Sequence, residues 1–184
     1  MSFSGDGRSV HIKTRDSLQT IDIVSKKTTS VPFRGKDPEW SPDDQRVVYL
    51  SGQEGITQDV FVMNADGSNV QQITTAGEEV FPTWSADGER IAFTSNRNGG
   101  SDYLTDDIYW TKADGSDLHR VTTDALDYWN PQWSPDGQQI VTWSNVGNNL
   151  YVVNADGSDL HALVRGDTLT SVGEPSWSPR LCDK

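Results

Sequence analysis

One short pattern constrains this chain more than anything else in it. Pro131-Gln132-Trp133-Ser134-Pro135-Asp136-Gly137 has near copies at Pro38-Glu39-Trp40-Ser41-Pro42-Asp43-Asp44 and Pro82-Thr83-Trp84-Ser85-Ala86-Asp87-Gly88. A truncated copy stands at Pro175-Ser176-Trp177-Ser178-Pro179. The tryptophans fall 44, 49 and 44 residues apart. A recurrence of about 40 to 50 residues is the length of one four-stranded blade and marks tandem modules that bury their faces on one another.

The repeats divide the 184 residues into one domain of four units. The first, about 3–37, is degenerate: Phe3-Ser4-Gly5-Asp6-Gly7 is a weakened copy of the motif, and its opening strand is expected to be missing. The second, 38–81, shows the full plan. A strand ends at Trp40 and is followed by Val47-Val48-Tyr49, Val60-Phe61-Val62-Met63, a turn at Asn64-Ala65-Asp66-Gly67, and a last strand through Val70 and Ile73. The third, 82–130, and fourth, 131–174, repeat it, the third with a longer loop from Ser95 to Asp107. The middle strands are apolar on consecutive residues, as expected of sheets covered on both faces.

The turns have a mechanical reading. In Ser134-Pro135-Asp136-Gly137 the proline presets φ, the aspartate bonds back to the backbone, and the glycine takes a left-handed position. Ala-Asp-Gly at 65–67, 113–115 and 155–157 serves the next hairpin. Asn64, Asp66 and Ser68 do not open a calcium loop, because the glycine stands fourth rather than sixth and Thr75 replaces the closing glutamate. The repeated tryptophans read as wedges between sheets in preference to stacking platforms in a channel.

Trp-Ser-Pro-Asp-Gly before an apolar strand, then Ile-Tyr-Val-like residues, Asn-Ala-Asp-Gly-Ser and a final Leu/Val-Thr, resembles the WD40-like (PD40) repeat of the TolB-type β-propellers. The resemblance runs through 38–179 and more weakly through 3–37. It implies an all-β propeller of four-stranded antiparallel blades, about four in this chain. It also implies, in many relatives, a periplasmic or otherwise extracytoplasmic protein-binding role. The same repeats form the non-catalytic propellers of some peptidases. Residues 175–179 read as an innermost strand that either completes the first blade or leaves the propeller open. Two chains exchanging these ends, as a homodimer with an eight-bladed ring, and a piece of a longer propeller are the alternatives.

Composition narrows the partners. The net charge of −12 disfavours nucleic acid, and no basic stripe reverses it locally. No apolar run reaches the roughly 20 residues of a membrane span, residues 1–17 lack the apolar core of a signal peptide, and Cys182, alone, can form no internal disulfide. No Gly-x-Ser-x-Gly, Walker loop or His-Glu-x-x-His is present. His119 and His161 fall on equivalent outer strands and His11 is isolated, so neither an enzyme nor a cofactor is expected.

Binding is expected instead on the variable loops opposite the repeated turns. They carry an acidic, aromatic-edged set for a protein or peptide partner: Asp102, Tyr103, Asp106, Asp107, Asp127, Tyr128, Trp129 and Glu174, with Tyr128 and Trp129 as apolar anchors. Asp37, Asn130 and Glu174 each precede a proline where a channel could gather oxygen ligands for calcium. Phe81 interrupts that ring, and no metal is assigned. The alternative function is the regulatory propeller of a larger peptidase or carbohydrate-active enzyme.

Overall fold

The computed structural model describes residues 1–52, 57–98, 105–124, 126–165 and 177. They form four antiparallel sheets of four strands, each a simple meander. The first holds β1 (Ser2–Phe3), β2 (Ser9–Lys13), β3 (Ser17–Asp22) and β4 (Thr28–Pro32); the second holds β5 (Lys36–Trp40), β6 (Arg46–Ser51), β7 (Asp59–Asn64) and β8 (Gln71–Gln72). The third holds β9 (Glu79–Trp84), β10 (Arg90–Ser95), β11 (Asp107–Lys112) and β12 (His119–Arg120). The fourth holds β13 (Tyr128–Trp133), β14 (Gln139–Ser144), β15 (Asn149–Asn154) and β16 (His161–Val164). The all-β, four-stranded blade architecture read from the repeats is therefore present.

Consecutive apolar residues in the middle strands face opposite ways into two different cores. Val47 packs with Leu18, Phe33, Tyr49 and Met63 between the first two sheets, while its neighbour Val48 packs with Ile91, Phe93 and Trp84 between the second and third. Ile91 and Ala92 divide in the same way, Ala92 joining Ile108, Tyr128, Trp133 and Ile140 between the third and fourth sheets. A strand alternates its side chains between faces, so a sheet covered on both sides shows no polar alternation. Trp84 and Trp133 are buried in these inter-sheet cores, as the wedge reading requires.

Each wedge is also clamped. The Trp84 indole N–H donates to the carbonyl of Glu39, 3.2 Å away on the preceding inner strand. The Arg46 guanidinium lies 4.7 Å from the Trp84 ring centre and donates to the Gly88 carbonyl at 2.7 Å. One sheet further, Arg90 lies 4.4 Å from the Trp133 ring and donates to the Gly137 carbonyl at 2.8 Å. The contact between the first and second sheets uses different chemistry. His11 stacks on Trp40 with ring centres 4.5 Å apart, and its Nε2 meets Asp44 Oδ1 at 3.0 Å. Asp44 occupies the left-handed turn position that glycine holds elsewhere, and it also accepts the Gly5 N–H at 3.0 Å. His11 is thus a packed, bonded core residue, a correction to its reading as isolated.

The repeated turns lie at one end. In each, a serine hydroxyl accepts the N–H that opens the second strand: Arg46 N–H to Ser41, Arg90 N–H to Ser85 and Gln139 N–H to Ser134, each 2.9 Å. The second hairpin of each sheet is tied to the first by Ala65 N–H to Gln45 O, Ala113 N–H to Glu89 O and Ala155 N–H to Gln138 O. Gly115 and Gly157 have positive φ, and a Cβ there would meet the Ile73 and Val121 carbonyls of the preceding sheet at 3.2 and 3.0 Å. Glycine is needed in these turns for close sheet approach as well as for conformation.

Two details depart from the sequence reading. The first sheet has an opening strand after all: β1 is two residues long, with Ser2 paired to His11 and Phe3 to Val10. The inner strands of the third and fourth sheets begin at Glu79 and Tyr128, so Tyr128 and Trp129, expected on a variable loop, lie in a strand. Of the expected closing strand 175–179, Trp177 is the one described residue. Its indole N–H donates to Gln132 O at 3.0 Å, the bond Trp84 makes to Glu39. Among the described residues no strand pairing joins the fourth sheet to the first.

Replacing Trp84 with alanine should cost about 3–5 kcal/mol in urea denaturation, through lost burial and the cavity left between sheets. A loss under about 1 kcal/mol would contradict the wedge role.

Candidate binding surface at the loop end

The loop end gathers carboxylates from three connections. Asp127 is buried and accepts the Asp106 backbone N–H at 2.9 Å as well as the Asn145 side-chain amide. Tyr128 N–H donates to Asp106 O at 2.8 Å, which fixes the start of β13 against the entry to β11. Asp106 itself keeps a partly exposed carboxyl. Burial, and then the like charges of Asp127, Glu78 and Asp107, push its pKa from 3.8 to about 6. The structure thus brings Asp106, Asp107 and Asp127 together with Glu78.

The other expected residues behave differently. The Asp107 carboxylate is buried and already held by Arg120 at 2.6 Å and Thr122 at 3.0 Å. Tyr128 is fully buried in the core between the third and fourth sheets, and its hydroxyl donates to Asp124 at 3.0 Å. It therefore offers no free ring surface. Trp129 is half-buried and meets Phe81 of the neighbouring sheet edge-on, ring centres 6.0 Å apart. Asp102, Tyr103 and Glu174 lie outside the described residues.

One pair at this end is not evident from the repeats. Glu79, fully buried, accepts from Arg97 at 2.7 Å and from the hydroxyls of Thr74 and Ser95 at 3.1 Å each. Burial raises its pKa, and Arg97 opposes the shift. The available signal was a carboxylate standing where the next repeat has Tyr128.

Along the inner strands runs a cavity of about 520 Å³ whose lining includes His11, Lys13, Asp37, Glu39, Phe81 and Asn130. The residues before the prolines do share one geometry: Asp37, Phe81 and Asn130 are left-handed, with φ of 45°, 54° and 55°. They form bulges at which the inner-strand register slips. Asp and Asn tolerate that conformation, whereas Phe81 pays about 1–2 kcal/mol for it. Glu39 is built into the wall of this cavity. One carboxylate oxygen accepts the Trp84 N–H at 2.9 Å and the Thr83 hydroxyl at 3.1 Å, yet burial raises its pKa from 4.5 to about 7.

With the sheets and both ends described, comparison with known proteins is decisive for the family. The profile described as PD40, TolB beta propeller domain, matches residues 1–181. The chain belongs to this family. It is 33% identical over 106 residues to the uncharacterized peptidase YuxL of Bacillus subtilis, covering 50% of this chain and 16% of that protein. It is 37% identical over 94 residues to the Tol-Pal system protein TolB of Myxococcus xanthus, covering 50% of this chain and 22% of that protein. The crystal structure of TolB from Acinetobacter baumannii superposes with a TM-score of 0.69 at 17% identity, over 89% of this chain and 42% of that one. The chain thus spans about a fifth of the length of these curated relatives. This PD40 propeller is related to TolB and to peptidases alike, so the family assigns its fold and not its chemistry.

The shifted carboxyls give a pH prediction. Glu39 and Asp106 bind protons more tightly folded than unfolded, so stability falls as pH rises from about 4 to 7. The turn aspartates act oppositely: Asp43, Asp66, Asp114 and Asp156 are held low by serine hydroxyls and backbone N–H groups, and their support is lost in acid. The melting temperature should peak near pH ~5. Glu39→Gln, which keeps an oxygen for Trp84 and Thr83, should raise it at pH 8 and leave it almost unchanged at pH 5. An equal effect at both pH values would contradict the burial argument.

Proposed function

We propose that this PD40 propeller is a non-catalytic scaffold that receives a protein or peptide segment at its acidic loop end. The observation that supports it best is Asp106, whose carboxyl is crowded by Asp127, Glu78 and Asp107 while remaining partly exposed. Such crowding costs free energy in the isolated chain, and a cationic group from a partner relieves it. The net charge of −12 extends the same preference to long-range steering. The segment is therefore expected to be basic, with the Trp129–Phe81 pair offering the apolar contact beside it. The likeness to TolB of Myxococcus xanthus, a protein named for the Tol-Pal system, agrees with a binding role.

The likeness to the peptidase YuxL favours a second reading, in which this propeller belongs to a larger hydrolase and screens its substrates. The coding sequence on either side separates the two: an in-frame nucleophile-elbow motif would support the hydrolase.

Peptide display against the intact chain should enrich Lys- and Arg-rich segments. Affinity for an enriched peptide should fall about tenfold in the Glu78→Gln, Asp106→Asn double variant, without loss of melting temperature. Binding should also weaken as pH drops below about 6, where Asp106 takes up its proton. Enrichment of acidic or uncharged peptides, or unchanged affinity in the double variant, would reject the loop end as the site.

A further inference from the structure

Positive charge is spread unevenly along this acidic chain. Residues 1–37 hold seven of the 15 lysines and arginines but four of the 27 aspartates and glutamates, a local net of +3 in a chain of −12. Four of these cations, Lys13, Arg15, Arg34 and Lys36, are scattered along the sequence and form no stripe there. The fold gathers them. Lys13 closes β2 and Lys36 opens β5, while Arg15 and Arg34 lie on the connections at 14–16 and 33–35 that follow β2 and β4. In a meander both connections fall at the loop end, the end that carries Asp106 and Asp127. The Phe33 N–H donates to Asp16 O at 2.9 Å and joins one connection to the other.

The backbone beneath these cations is held firmly. Phe33 is buried between the first two sheets and meets Tyr49 edge-on, ring centres 5.1 Å apart. Gly35 packs so closely there that a Cβ would run into both rings. The Thr14 N–H donates to Ser17 O at 2.8 Å and closes the hairpin under Arg15. All four cationic side chains are nonetheless exposed. Among the described residues none of them has an ion pair or a side-chain hydrogen bond. Arg46, Arg90, Arg97 and Arg120, by contrast, are each bonded to a carbonyl or a carboxylate. Two carboxylates, Asp16 and Asp37, stand beside the four cations, so the patch is positive on balance.

We propose that this patch and the carboxylates around Asp106 are two poles of one docking surface, and that the peptide segment it receives is acidic at one end and basic at the other. The inference rests on the loop-end binding reading and adds the second pole to it. The second sheet lies between the poles, and with stacked sheets about 10 Å apart the poles are separated by roughly 20 Å. That exceeds the Debye length of about 8 Å at physiological salt, so the two poles do not cancel one another. Extended chain covers the distance in about six residues. A segment of one sign is attracted at one pole and repelled at the other. A segment of two signs gains at both.

The test compares synthetic peptides by fluorescence anisotropy against the full chain. One joins a lysine block to a glutamate block through about six Gly and Ser residues, a second lacks the spacer, and a third carries the lysine block and spacer alone. The spaced two-block peptide should bind about tenfold tighter than the lysine block alone, and removing the spacer should abolish that gain. The double variant Arg15→Glu, Arg34→Glu, at two exposed positions, should erase the gain without loss of melting temperature. A peptide with a second lysine block in place of the glutamates should bind that variant about tenfold tighter than it binds the parent. If the lysine block binds through Glu78 and Asp106 but the glutamates add nothing, or the charge-reversed variant keeps the full gain, the second pole is overturned and the loop-end reading stands. Lysine-block binding that ignores the Glu78→Gln, Asp106→Asn double variant would overturn both. Binding to anionic lipid vesicles that the charge-reversed variant loses, with no gain from the glutamate block, would assign the patch to a phosphate surface and also overturn the proposal.

Discussion

Everything in this molecule depends on the contact between neighbouring sheets. A four-stranded sheet with apolar residues on both faces is unstable in water alone, and each sheet here is completed by the next. The wedge tryptophan is buried in the contact, and the arginine of the preceding sheet covers its ring and ties down the following turn. Between the first and second sheets the device changes, and a histidine stacked on Trp40 and bonded to Asp44 stands in for the arginine. The geometry persists through that exchange of side chains, which identifies close sheet approach, rather than any one residue pair, as the constraint.

That constraint divides the two ends of the molecule. At the turn end, serines and aspartates are spent on the backbone, and their recurrence reflects hairpin chemistry. At the loop end the connections need only reach the third strand of the same sheet or the inner strand of the next, so their sequences are free to differ. The carboxylates found there have three fates. Asp107 and Glu79 are buried against arginines, Asp127 organises backbone and amide groups, and Asp106 remains crowded and accessible. A binding reading therefore rests on the last kind, and the abundance of acidic residues alone does not establish it.

The fold was legible in the sequence because its determinants are local and repeated: a wedge, a turn, two apolar strands and a second turn. Several particulars were not. Tyr128 and Trp129 looked alike as aromatic loop residues, but β13 starts at Tyr128, and a strand buried on both faces gives no pattern that separates inward from outward positions. The inner-strand starts were obscured by the left-handed bulges at Asp37, Phe81 and Asn130, which carry the strand past a proline that reads as a boundary. Asp107 looked available because its partner Arg120 lies across a hairpin. His11 could have been suspected, since Val48, Ala92 and Val141 hold its place in the other repeats. Asp44, standing where other turns have glycine, was the matching clue.

The most direct test of this account is a double-mutant cycle on Arg46 and Trp84, using Arg46→Ala and Trp84→Leu with stability read by urea denaturation. If the arginine acts by covering the wedge of the next sheet, the two residues should be coupled by about 1 kcal/mol. Arg46 paired with Trp133, at the next interface, should show coupling within about 0.5 kcal/mol of zero. Additivity at Arg46 and Trp84 would show that the clamp contributes nothing through the ring, and would contradict the claim that these sheets are held as wedge and cover.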